Sequence, residues 1–318
     1  METSTVLITG SNGEMGHELI KQLSKNPSIK IIATDLDDLD PVLLPLCEKF
    51  YKGNILDSEL IEQLTGHKYQ TIYHLASILS TKAERQPELA QKVNVNGTLS
   101  LLELADQQSQ QTNIPVKFFY PSSIAVYGLS GLEKKQVNLK VNESEFLFPI
   151  TMYGCNKLYC EHLGRYYSQH YRQMTEDHEA IRLDFRSIRF PGLISAMTLP
   201  TGGTSDYGPE MIHHAAQNKP YNCFVRPDSR LPFMVMPDAI RAISLLIAAP
   251  CEKLTQKVYN VTSFNPSAEE IYNIVRQAFP GAEICYNPHP VRQKIVDSWP
   301  SDVDDAAASK DWGWSPEY

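Results

Sequence analysis

Short apolar runs recur along the chain at residues 6–9, 29–34, 50–52, 71–75, 116–120, 184–190 and 258–261. An apolar run without alternation marks a strand covered on both faces, as in a parallel sheet between two layers of helices. The stretches between the runs return their apolar positions every three to four residues. They predict helices over about 14–23, 84–110, 153–173 and 238–248. Strands alternating with helices in this way build a parallel, doubly wound sheet, whose ligands lie at the carboxyl ends of the strands. Asp35, Ser80, Ser122 and Ser123 all fall at or just past such ends.

The alternation falters in two places. Residues 128–150 read as a loop or flap, since Gly128, Gly131 and Pro149 bracket a polar stretch with little periodicity. Residues 173–179 read as an exposed connection. Past Phe190 come a glycine-rich loop from Pro200 to Gly208, an irregular stretch at 226–232, a short strand at 283–286 and a final short helix. The expected architecture is α/β: a Rossmann domain from 1–190 plus 236–262, with a smaller, discontinuous C-terminal substrate lobe from 191–235 and 263–318.

At 318 residues, the chain is long enough for a large core. Its net charge of -8 comes without any run of Lys or Arg, so no nucleic-acid partner is expected. The N-terminal residues lead straight into an apolar strand. Neither a secretory signal, an Arg-rich transit peptide nor a membrane span is expected. The cysteines at 47, 155, 160, 223, 251 and 285 form no Cys-x-x-Cys pair, which suits reduced thiols and a cytoplasmic location. His213-His214 and the other histidines show no ligand spacing, so no metal is expected.

The first candidate chemistry follows the first strand. Gly10-Ser11-Asn12-Gly13-Glu14-Met15-Gly16 opens a helix, and glycines there allow a tight turn and close approach to a pyrophosphate at the helix N-terminus. Asn12, Glu14 and Met15 belong to the same candidate contact. The second strand ends at Asp35, where a dinucleotide fold places the acid for the adenine ribose hydroxyls. Asp37, Asp38 and Asp40 follow with no Arg nearby, which favours NAD over NADP. Asn54 and Ile55, after the third strand, suit contact with the adenine edge.

The second is Tyr153-Gly154-Cys155-Asn156-Lys157. Residues at i and i+4 share a helix face, so the Lys157 ammonium is expected to lie beside the Tyr153 phenol and lower its pKa. A phenol tuned that way takes a proton from an alcohol near neutral pH.

Gly10-x-x-Gly13-x-x-Gly16, Ser123 of the Ser122-Ser123-Ile124-Ala125-Val126-Tyr127-Gly128 segment and Tyr153-x-x-x-Lys157 together resemble the short-chain dehydrogenase/reductase superfamily, in its extended, epimerase-like branch. The resemblance implies that Ser123 hydrogen-bonds the substrate oxygen, Tyr153 is the acid/base and Lys157 binds the nicotinamide ribose. It also implies that Leu75, Ala76, Ser77, Asn94, Pro191 and Leu193 line the nicotinamide half.

A narrower resemblance rests on Thr151 to Gly154, Leu183 to Gly192, Gly202-Gly203-Thr204-Ser205-Asp206-Tyr207, Arg226 to Pro232, Met236 to Ala242 and Asp297-Ser298-Trp299-Pro300. These are similar to the L-threonine 3-dehydrogenase family of the short-chain type. That family implies L-threonine as substrate, held by Ser80, Ser122, Ser123, Tyr153, Gly192, Thr204 and Ser205, and a homodimer formed through the helices at 84–110 and 153–173. Ser205 departs from the family's Thr. Two insertions stand out against the family pattern, one between Ser123 and Tyr153 and one at Met174 to Arg182.

Plainer readings accompany these. Ser80 caps the following helix, and Trp299 is a packed aromatic. Arg226 and Arg230 either grip a phosphate or brace the small lobe through ion pairs. The phosphate grip belongs to the alternative function, an NAD-dependent epimerase or dehydratase of nucleotide sugars, which uses the same Tyr and Lys. A redox-sensing protein without turnover is disfavoured, because it has no need of Ser123, Tyr153 and Lys157 together.

Overall fold

The structure, a computed structural model, describes residues 3–137, 140–175, 182–196, 198–200 and 202–318. The first half runs β1 (Ser4–Thr9), α1 (Glu14–Leu23), β2 (Ile29–Asp35), β3 (Lys49–Lys52), α2 (Ser58–Thr65), β4 (Thr71–His74), α3 (Ser80–Arg85), α4 (Pro87–Ala90), α5 (Gly97–Thr112) and β5 (Lys117–Ser123). Then come α6 (Leu132–Val137), α7 (Met152–Gln169), β6 (Asp184–Phe190), β7 (Gly192–Ile194), α8 (Tyr207–Ala216), β8 (Tyr221–Cys223) and β9 (Phe233–Val235). The chain closes with α9 (Met236–Ala248), β10 (Val258–Asn260), α10 (Ala268–Ala278), β11 (Ile284–Tyr286), α11 (Pro290–Ser298) and α12 (Ala306–Trp312).

Seven strands form one parallel sheet in the order β3-β2-β1-β4-β5-β6-β10. The chain order reverses between β1 and β4, so the crevice at their carboxyl ends is the ligand site of a doubly wound fold. Alternate residues of one strand face opposite layers. Val6 and Ile8 of β1, with Ile31 and Ala33 of β2, pack under α1 and α9, while Leu7 and Ile32 pack under α5 and α7. Both faces are buried, which is why the strands show no polar alternation. A third cluster joins Tyr207, Met211, Phe233, Ile271, Val296 and Trp299 to residues 124–127. The C-terminal Trp312 and Trp314 return to the core of the large sheet, away from that cluster.

Two expected elements differ. The single helix expected at 84–110 is broken into α3, α4, a π-helical turn at Gln91–Asn96, and α5. Pro87 explains the first break: the residue before a proline is pushed out of the helical region, and Gln86 sits at φ -138°, ψ 65°. The helix expected to reach 173 stops at Gln169. β5 was expected to stop before Pro121 but continues through it to Ser123. β4 ends its pairing beside Phe119, so from there β5 is an edge on that side, where a proline is tolerated. The three-residue strands β7, β8 and β9 are too short for periodicity to reveal. The connection at 173–179 and the insertion at Met174 to Arg182 lie largely outside the described residues.

Candidate active site

The glycine turn is set by close backbone packing. Gly10 takes φ +69°, and a Cβ there would lie 2.6 Å from the Ala76 nitrogen; at Gly16 one would lie 2.6 Å from the Gly10 and Ser11 carbonyl oxygens. Gly13 N–H donates to Gly10 O at 3.1 Å, and no side chain caps α1. The positive end of that helix is thus presented at the sheet crevice. Asn12 welds the turn to the β2 loop. Its N–H donates to Asp35 Oδ2 at 2.9 Å, and its side chain donates to Asp38 O and accepts from Asp40 N. A backbone cradle next to a fixed carboxylate fits the pyrophosphate and ribose of a dinucleotide. Asn54 folds back on its own turn through Leu56 N–H at 3.0 Å. Ile55 is buried and packs its side chain against Gly97, so any contact with an adenine edge falls to its backbone.

Glu14 and Met15 face different ways. Met15 packs against the core, while Glu14 reaches the small lobe near Leu193, Ser195, Thr198 and Asp206. Burial raises the Glu14 pKa, Thr198 lowers it by a hydrogen bond, and the Asp206 charge raises it further.

The loop after β4 is held by Asn94, which the π-helical turn aims inward. Asn94 Oδ1 accepts from Ile78 N at 2.7 Å and from Ser77 Oγ at 3.1 Å, and Asn94 Nδ2 donates to Ile78 O at 3.0 Å. A π turn offsets side chains relative to an α-helix and occurs often at functional sites. Below it, buried His74 bridges Thr9 Oγ1 at 2.8 Å and Thr98 Oγ1 at 2.9 Å, and burial pushes its pKa down to about 3. The sequence had not marked His74.

Tyr153, Ser123 and Lys157 come together as expected. Thr151 caps α7 by accepting Gly154 N–H at 3.0 Å. Gly154 lets α7 press against the β5 turn, since a Cβ would lie 2.1 Å from Ala125 O. Ser123 Oγ accepts from Ala125 N at 3.2 Å and lies near enough to the Tyr153 phenol to draw its pKa down. Lys157 Nζ lies 5.3 Å from the Tyr153 ring centroid, 4.6 Å from that of Tyr120, and donates to Pro121 O at 2.7 Å.

The expected acidification of Tyr153 is corrected. Burial pushes the phenol above its ordinary range and Ser123 draws it back only in part. Burial also pushes Lys157 down to about 8. Desolvation dominates at both positions: Lys157 is buried, and the half-buried Tyr153 packs against two apolar clusters.

Ser122 is a second correction. Neighbouring strand residues point to opposite faces, and Ser122 Oγ donates to Glu161 Oε1 at 2.5 Å, within a buried ion pair in which Arg189 Nη2 meets Glu161 Oε2 at 2.6 Å. It therefore braces β5 and β6 against α7 while Ser123 faces Tyr153.

Ser80 begins α3 but is not its N-cap, which is Leu79. Its Oγ instead accepts both Thr204 N–H and Thr204 Oγ1–H at 3.2 Å. Thr81 Oγ1 donates to Gly202 O, so the glycine loop of the small lobe is shut onto α3. Ser205 packs beside Gly192, where a Cβ would lie 3.1 Å from Ser205 Cβ. Pro191 is buried and Leu193 packs on the core of the large sheet. Trp299 is only 3% exposed within the small-lobe cluster.

Arg226 places Nη1 and Nη2 on the Asp297 carboxylate at 2.9 Å each and Nε on Asp228 at 3.0 Å. Arg230 bonds Glu270 at 2.9 Å and Asn265 O. Both arginines brace the small lobe.

This site, at the crevice of a doubly wound sheet, has the build of a dinucleotide oxidoreductase. A family model for NAD-dependent epimerases and dehydratases matches residues 6–262, and the chain belongs to that family. It is 33% identical to the mitochondrial L-threonine 3-dehydrogenase of Bos taurus, over 98% of this chain and 79% of that protein. Among solved structures, the holo form of an L-threonine dehydrogenase from Cupriavidus necator superposes with a TM-score of 0.85 at 34% identity, covering 99% of this chain and 95% of that one. A monomeric L-threonine 3-dehydrogenase from a metagenome superposes with a TM-score of 0.83 at 37% identity, covering 98% and 94%. Among the described residues no helix is long and apolar enough to cross a membrane.

Proposed function

We propose that this protein is a cytoplasmic, NAD-dependent L-threonine 3-dehydrogenase. It oxidises the 3-hydroxyl of L-threonine to L-2-amino-3-oxobutanoate in threonine catabolism towards glycine. The observation that carries the reading is the closure of the Gly202–Thr204 loop onto Ser80 and Thr81 of α3, the helix that packs against α7 beside Tyr153. The hydroxyl and backbone groups of that closure suit the amino and carboxylate ends of a small substrate.

Gly10, Gly13 and Gly16 with Asn12 would cradle the pyrophosphate, Asp35 would take the adenine ribose, and the Ser77–Ile78 loop that Asn94 holds would line the nicotinamide end. When bound, NAD⁺ supplies the hydride acceptor and a positive charge in the cleft. Ser123 orients the substrate hydroxyl and steadies the oxygen as it becomes a carbonyl. Tyr153 takes the hydroxyl proton. Burial holds the phenol up, so Ser123 and the Lys157 ammonium near the ring are the groups of this chain that would offset desolvation as the phenolate forms. Lys157 keeps its place through Pro121 O, with its ammonium available to the cofactor ribose.

The epimerase alternative needs a cation to hold a sugar diphosphate, and Arg226 and Arg230 are engaged with Asp297, Asp228 and Glu270. We also infer a homodimer through α5 and α7, whose surface carries the exposed Tyr159 and Tyr166. One solved relative is named as monomeric, and sedimentation at micromolar concentration separates the two states.

The test is NADH absorbance on mixing protein, NAD⁺ and L-threonine, with UDP-sugars as the control. Threonine should give NADH, and Tyr153→Phe should lower kcat roughly 10³-fold with NAD⁺ affinity unchanged. Conversion of a UDP-sugar without threonine turnover removes the substrate assignment, and near-normal turnover in the Phe variant removes the role of Tyr153.

A further inference from the structure

The Gly202–Thr204 loop is held from three directions. Its own Asp206 carboxylate accepts the N–H groups of Gly202 at 2.9 Å and Gly203 at 2.5 Å. α3 takes Gly202 O through Thr81 and Thr204 through Ser80. The third hold comes from α11: Arg292 Nη2 donates to Gly203 O at 2.7 Å, across 89 residues of chain. The guanidinium also lies over the Phe224 ring, 3.2 Å from its centroid.

Nothing local explains an arginine at this position. It stands in the first turn of α11, behind Pro290 at the helix start, where a cation opposes the helix dipole. Its Nε is buried without a hydrogen-bond partner among the described residues, a cost that a surface arginine would avoid. Burial lowers its pKa, and the charges of Glu210 and Asp206 partly restore it. The side chain is thus spent on two contacts, one anchoring it on Phe224 and one reaching the substrate loop.

We propose that Arg292 is a positioning residue for substrate: by fixing Gly203 O from α11, it sets the loop so that Thr204 meets Ser80 of α3. Gly202 already sits at φ +91°, a conformation with few side-chain restraints, so external partners decide the path of the loop. Arg292 is bonded to neither the glycine turn nor the Ser77–Ile78 loop, so its influence falls on the substrate and spares the dinucleotide. This inference rests on the threonine dehydrogenase reading.

The test compares Arg292→Met, which keeps bulk over Phe224, with Arg292→Lys, which keeps the charge and one donor. Arg292→Met should raise the KM for threonine about tenfold, with kcat within about threefold and the dissociation constant for NAD⁺ within about twofold; such a KM change corresponds to about 1.4 kcal/mol. Arg292→Lys should recover part of the loss. An unchanged threonine KM overturns the proposal, as does a parallel rise in threonine KM and NAD⁺ dissociation constant with a fall in Tm, which marks a scaffold role. Thermolysin cleavage near Leu199 reads the loop independently of turnover. It should be about fivefold faster in Arg292→Met, and equal rates overturn the positioning role. If the wild-type enzyme makes no NADH from threonine, the functional reading fails while the cleavage comparison still decides the role of Arg292.

Discussion

Two glycine-bearing loops flank the cleft, and they are built on different principles. The Gly10–Gly16 turn finds its partners close by: Gly10 and Ser11 N–H groups donate to Thr34 O, and Asn12 N–H donates to Asp35, on the adjacent strand 23 residues away. The Gly202–Thr204 loop is closed by partners 121, 124 and 89 residues distant, on two helices that do not touch it in sequence. The turn is therefore part of the sheet and fails with it. The loop is an assembly of long-range contacts, and its failure should cost substrate binding while leaving the fold and the dinucleotide site intact.

Substitutions in the two regions should separate these outcomes. The largest effect is expected at Gly10→Ala. A positive φ costs an L-residue roughly 1–2 kcal/mol, and the new Cβ meets unyielding backbone at Ala76, adding about 1–3 kcal/mol. Urea unfolding should show the loss in stability, and titration with NAD⁺ should show binding weakened at least tenfold. A variant with normal stability and affinity would mean that the turn is not packed as tightly as Ala76 requires.

Ser80→Ala should be milder and selective. It leaves the Thr204 N–H and hydroxyl without their acceptor in a buried place, a cost of about 1–3 kcal/mol that lands on the loop. Steady-state kinetics should show threonine KM up roughly tenfold with NAD⁺ KM unchanged. Equal damage to both constants would erase the distinction between the regions.

The smallest effect belongs to His74, beneath the cofactor half. Its folded pKa of about 3 lies below the ordinary value of 6.5, so the unfolded chain binds the extra proton as pH falls through 6.5. Stability should fall by about 1 kcal/mol from pH 7 to 5.5 and should not change through this group above pH 7. Urea midpoints across that range should show the slope, and His74→Asn should flatten it. An unchanged slope in that variant would assign the acid sensitivity elsewhere.

The contrast also explains what was legible in the chain. Gly10, Gly13, Gly16 and Asp35 declare themselves because backbone geometry demands glycine at fixed spacing and an acid at the next strand end. Tyr153 and Lys157 declare themselves through helical spacing. The inward turn of Ser122 towards Glu161 was hidden, because a Ser-Ser pair does not say which residue faces the crevice until the strand register is known. Arg292 carried no signal, since its partner Gly203 is adjacent to it only in the folded chain.

The amino-acid sequence by itself determined the seven-stranded parallel sheet, the dinucleotide turn and the Tyr153–Lys157 pair, because each follows from short-range periodicity or from conformations that few residues can adopt. Tertiary structure alone decided the shut substrate loop, the inward aim of Asn94 at the π-helical turn, and the balance that leaves the Tyr153 phenol raised. Those features depend on burial and on partners brought together from distant parts of the chain, and local pattern contains neither.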